Sequence, residues 1–107
     1  MKDQSEMSLL EKLYLETAQI SWLELQRFFA QGLVMNVDPS LDLPGVAAMF
    51  AEDKSQELAP LVKSSKVAAP SNEQARTWFE QETELWSVVV APFVLVQDRK
   101  QPPIKNS

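Results

Sequence analysis

The sequence predicts an α+β domain in which about five helical segments pack on a small sheet of two to four strands. Three observations lead there. A serine followed three residues later by Glu or Gln recurs at Ser8/Glu11, Ser21/Glu24 and Ser71/Gln74, a pattern that opens helices by satisfying free backbone N–H groups. The densest β-branched run, Val88-Val89-Val90 and Phe93-Val94-Leu95-Val96, is divided by Ala91-Pro92, where a helix would break. Hydrophobic residues make up 45% of the 107 and charged residues 23%, the balance of a folded chain with a single core.

Taken in order, the first two serines predict helix starts at Ser8 and Ser21, with a bend near Ile20-Ser21. One straight helix from Ser8 to Gln31 is disfavoured. At about 100° per residue, Leu9, Leu10, Leu13 and Ile20 point one way while Trp22, Leu25, Phe28 and Phe29 point roughly 130° away. Gly32 closes the second helix as a left-handed residue. Leu33 to Val37 is a strand stopped by Asp38-Pro39. Asp42 is the N-cap of a third helix that tolerates Pro44 and Gly45 only in its first turn and buries Val46, Ala47, Met49 and Phe50. A fourth helical stretch, about Ser55 to Ser65, must accommodate Pro60. Lys66 to Ala69 is a short strand ended by Pro70, and Ser71 opens a helix with Ala75, Trp78 and Phe79 on one side. Leu85 to Gln97 is placed centrally in the sheet, either as one bent strand or as two.

A single domain over 8–97 is expected, followed by a disordered basic tail over 98–107 with two prolines and Ile104 as its one large aliphatic residue. The chain carries a net charge of −5. Arg99, Lys100 and Lys105 against Asp98 contribute +2 of that, so Met1 to Gln97 carries −7, seven basic against fourteen acidic residues. Such a surface repels phosphate backbones, and no nucleic-acid partner is expected. The opening residues lack a signal peptide's apolar core, and no apolar run approaches the ~18 residues of a spanning helix, so a cytoplasmic location without membrane contact is expected.

With no Cys and no His, thiol nucleophiles, imidazole bases and the usual zinc ligands are excluded. Two glycines, Gly32 and Gly45, are too few for a phosphate-binding loop. No cofactor and no catalytic residue is implied. The candidate metal ligands are Asp38, Asp42, Glu52 and Asp53, a hard-oxygen set whose spacing matches no known calcium loop. The plainer reading makes Asp42 a helix cap and the others solvated charge. The tryptophans and phenylalanines sit in apolar stripes and are expected in the core, with one Trp at an interface as the minority reading. Arg27 with Glu24, and Arg76 with Glu73 and Glu80, have the spacing of helix-surface ion pairs.

Three stretches together carry a resemblance: Ile20 to Gly32; Leu41-Asp42-Leu43 with Phe50-Ala51-Glu52-Asp53; and Leu85 to Gln97. They resemble a family of short bacterial proteins known as domain of unknown function 2288, over about Leu9 to Gln97. The resemblance implies a bacterial, cytosolic, stand-alone domain and transfers no catalytic residue. Pro60 is the residue least expected within its pattern. The leading expectation for function is a non-enzymatic interaction or regulatory module whose partner is a second copy or another protein. The rivals are a divalent-metal activity built on the four carboxylates and, third, a nucleic-acid regulator using the first two helices as a helix-turn-helix.

Overall fold

A computed structural model describes residues 8–102. The elements run α1 (Leu9–Glu16), β1 (Ala18–Ser21), α2 (Trp22–Ala30), β2 (Val34–Val37), α3 (Leu43–Ala51), α4 (Ser55–Lys63), β3 (Val67–Ala68), α5 (Asn72–Glu80), β4 (Glu84–Val90) and β5 (Phe93–Gln97). Leading residues 1–7 and the end of the expected tail, 103–107, lie outside the described residues; Asp98 to Pro102 forms neither helix nor strand.

The sheet has five strands in the order β1-β4-β5-β2-β3, antiparallel throughout except for the parallel pair β2–β5. That corrects the expected two to four. The additional strand is β1, which occupies the place where a bend between two helices was expected. Thr17 leaves α1 in extended conformation and Ser21 enters α2 in the same way. Four of the five residues between α1 and α2 pair with β4, Ala18 opposite Ser87 and Ser21 opposite Glu84. The change in direction of the apolar residues is thus absorbed by a short strand. Leu85 to Gln97 is two strands, joined at Ala91-Pro92, whose peptide bond is cis. Both lie inside the sheet.

Alternation along the central strands feeds two cores. On one face Val88 and Leu95 join Val37, Leu13 of α1 and Leu43, Val46 and Ala47 of α3, with Leu58 and Leu61 of α4 packed alongside. On the other, Leu85, Val94 and Val96 join Trp22 and Leu25 of α2 and Ala75 and Trp78 of α5. The result is three layers, α1, α3 and α4 over one face and α2 and α5 over the other.

Local chemistry explains the helix boundaries. Ser8 and Glu11 form the reciprocal capping box, 3.1 and 3.0 Å. Ser71 accepts from the Gln74 N–H at 3.0 Å. Ser21 sits at the N-cap but makes no capping hydrogen bond with its side chain, and the Trp22 N–H is taken instead by Thr83 O across the sheet. Gly32, at φ +76°, ends α2 as expected. Pro60 lies inside α4, a helix with no buried residue; Gln56, the carbonyl that would receive the missing N–H, is at an exposed position open to water. No helix among the described residues is long and apolar enough to cross a membrane.

Candidate functional site

The four candidate carboxylates are divided by α3. Asp42 stands at its N-cap and Glu52 at its C-cap, ends about 15 Å apart at 1.5 Å per residue. Asp38 closes a local turn in which Ser40, through its hydroxyl and through its backbone N–H at 2.8 Å from Oδ1, favours the ionised carboxylate and lowers its pKa. Glu52 pairs with Lys54 at 3.3 Å, and Asp53 follows in left-handed conformation, φ +57°. Among the described residues no group of three or more Asp or Glu gathers where it could hold a metal ion.

Asp42 holds the N-cap position without capping. Its two carboxylate oxygens accept from the Tyr14 hydroxyl, each at 2.9 Å, tying α1 to the start of α3. Gly45 makes room for it: a Cβ there would lie 2.8 Å from Asp42 Oδ2. Burial, then the hydrogen bond to Asp42 and its negative charge, push the Tyr14 phenol up to about 12. Tyr14 therefore stays a protonated donor near neutral pH, the opposite of what a phenolate base or nucleophile requires. Tyr14 is the one tyrosine in the chain, so ultraviolet titration reads it directly. We expect a midpoint near 12 in the native protein, falling toward 10 in Asp42→Ala and in Gly45→Ala. An unchanged midpoint in both variants would show that the carboxylate does not set it. Because the folded value is raised, any stability linked to Tyr14 is present below pH 10 and lost as the pH climbs through the folded value.

The other sequence candidates are also accounted for. Trp22 and Trp78 are core residues, 1% and 2% exposed, with ring centroids 5.1 Å apart. Trp86 is half-buried, with Nε1 unpartnered among the described residues. Phe79, expected on the packed side of α5, is 50% exposed at the margin of that face. Neither Arg27 nor Arg76 forms the ion pair its spacing suggested: among the described residues the single pair within 4.0 Å is Lys54–Glu52, and Arg27 instead lies over the Phe28 ring, 4.9 Å from its centroid. The first two helices lie on opposite faces of the sheet with β1 between them, which is not the geometry of a helix-turn-helix.

A polar recess of about 490 Å³ at the start of α5 is lined by Glu73, Thr77 and Asp98, but Asp98 is already engaged, accepting from Trp78 Nε1 at 2.9 Å. A different concavity, about 230 Å³, opens between α2 and the β4–β5 hairpin. Ile20, Phe28, Val89 and Pro92 give it apolar walls, and Glu24 and Arg27 stand at its rim. β1 pairs with β4 only as far as Ser87, so beyond Ser87 the β1 side of β4 has no neighbouring strand among the described residues, and Val89 is 58% exposed. No motif in the sequence marks this groove. Its signal was present in the shortness of the segment between Thr17 and Ser21, too short to cover the whole of β4.

Over residues 8–98 the chain matches the model of a family described as protein of unknown function (DUF2288). It is similar to PA1075 from Pseudomonas aeruginosa, known from an NMR solution structure: 37% identical, with 94% of each chain covered and a TM-score of 0.75. No curated protein matches it.

Proposed function

From the premise that this chain belongs to the DUF2288 family of unknown function, we propose that it is a non-enzymatic interaction module of the bacterial cytosol that binds another protein surface through the groove between α2 and the β4–β5 hairpin. The observation that carries this reading is Val89. A large aliphatic side chain 58% exposed on a central strand is a position that domains ordinarily cover. The same groove combines apolar walls with one acidic and one basic residue at its rim, the anatomy of a small protein interface. Tyr14, Asp38 and Glu52 are instead engaged elsewhere, with Asp42, Ser40 and Lys54.

Photo-cross-linking in the bacterial host at native expression tests this. A benzophenone amino acid replacing Val89 is expected to give adducts heavier than the chain, whereas the same probe replacing Glu57, exposed on α4 across the sheet, gives none. Equal labelling at both positions, or none at 89, would overturn the reading.

A further inference from the structure

We propose that the partner at this surface is a second copy of the chain, joined by antiparallel pairing of β1 with β1 of the other copy about a two-fold axis, so that two five-stranded sheets become one. This rests on the interaction reading above and names the partner for the same surface. The first support is the difference between the two sheet edges. β3 is blunted by its length of two residues and by Lys66 before it and Pro70 after it. β1, Ala18-Gln19-Ile20-Ser21, has neither charge nor proline, and among the described residues nothing pairs with its outer side. An edge left unguarded in this way is a template for another strand.

Hydrogen-bond parity specifies which groups are free. The Trp22 N–H donates to Thr83 O at 2.9 Å, so along the same ladder Ala18 and Ile20 are turned toward β4. The backbone N–H and C=O of Gln19 and Ser21 therefore face outward. Two-fold pairing with Ile20 on the axis sets Gln19 of each copy opposite Ser21 of the other, and all of these groups find partners.

Side chains supply the second support. Leu15, just before β1, is 74% exposed and Leu23, just after it, 56%. Leu15 lies on α1 and Leu23 on α2, helices that cover opposite faces of the sheet on either side of β1 in sequence. In the register with Ile20 on the axis, the Ile20 side chains of the two copies meet across the seam, each also forming a wall of its own groove. Charge is the third. Met1 to Gln97 carries −7 and two copies repel over most of their surfaces, yet α2 presents Glu24 and Arg27 one turn apart. The axis runs through the sheet, so the two α2 helices lie on the same side and antiparallel, bringing Glu24 of each copy toward Arg27 of the other.

Sedimentation equilibrium of the full chain tests this. We expect a species of twice 12.1 kDa that dissociates in Leu23→Glu, with dissociation constant raised at least about tenfold. Leu23 is an exposed helix residue, so the circular dichroism of that variant is expected to match the native protein's. Gln19→Pro, which removes the outward N–H, is expected to act in the same direction. Arg27→Glu is expected to weaken the dimer, and the double variant Glu24→Arg/Arg27→Glu to restore it. A native chain that remains at 12.1 kDa up to roughly millimolar concentration overturns the dimer, as does a dimer indifferent to Leu23→Glu. A monomer that still cross-links from position 89 to a different protein overturns the dimer and leaves the interaction module standing; absence of any adduct at 89 removes the module itself.

Discussion

Replacing Trp22 with alanine is expected to destabilise the protein by about 4 kcal/mol, read as a displaced midpoint in urea unfolding followed by circular dichroism. Trp22 is the first residue of α2 and 1% exposed, so its indole is the means by which the helix is fixed to the sheet as soon as β1 ends. Its ring meets Trp78 at 5.1 Å and Phe29 at 5.4 Å, both tilted, in the core that also contains Leu85, Val94 and Val96. Truncation removes the apolar contact of the whole ring and leaves a cavity that two helices and a sheet cannot close by small shifts. Small domains have only about 5–15 kcal/mol in total, so the melting temperature should fall by roughly 20 °C. Trp22→Phe keeps an aromatic ring in place and should cost about half as much. A loss below about 1 kcal/mol for the alanine variant would mean that α2 is not seated as described.

The elements with local causes were legible in the sequence. Ser8, Ser21, Asp42 and Ser71 mark where helices begin, because N-cap preference acts within one turn. The strands β2 and β3 and the paired run from Glu84 to Gln97 announce themselves by β-branching between turn residues. β1 was not legible as a strand. Ala18-Gln19-Ile20-Ser21 has weak intrinsic preference for extended structure and is stabilised by its pairing with β4, more than sixty residues later. What the sequence did contain was the consequence, a jump in apolar direction between Leu13 and Trp22 that no single helix can accommodate.

The candidate site was less legible still, for a related reason. Asp42 has the identity and position of an N-cap, and local preference alone assigns it that role; the carboxylate is drawn away by a hydroxyl 28 residues earlier, and Gly45 leaves it the space. Nothing local to either residue records that contact. The four carboxylates looked close because they are close in sequence, whereas a nine-residue helix holds the two pairs apart. The groove at Val89 is created by an absence, the failure of β1 to extend along β4, and absences of cover are properties of the assembled sheet.

Gln97 shows the same lesson with a measurable cost. It ends the apolar strand β5, where a polar residue reads as the step into solvent, yet it is 0% exposed. Its Nε2 donates to the carbonyls of Asp38 at 2.9 Å and Leu41 at 2.8 Å, fastening the loop between β2 and α3 to the end of β5. Among the described residues Oε1 is buried without a partner, and so is Nε1 of Trp86, the residue opposite it in the ladder. Gln97→Leu keeps the volume and removes the idle acceptor, but it leaves two loop carbonyls without their donor; we expect a loss of about 2 kcal/mol that does not vary with pH. Gln97→Glu keeps the shape and turns the donor into an oxygen that meets two carbonyl oxygens. An ionised carboxylate there is buried without a cation, so the folded protein holds the introduced group protonated and its pKa rises above the ordinary value near 4.3. Stability linked to a raised pKa is present below the unfolded value and is lost as pH rises through the folded one. The Gln97→Glu variant should therefore lose about 3 kcal/mol or more at pH 7 and regain part of it at pH 4, while Gln97→Leu shows the same deficit relative to the native protein at both. Equal deficits for the two variants at both pH values would mean that Gln97 fills space in the core without anchoring the loop.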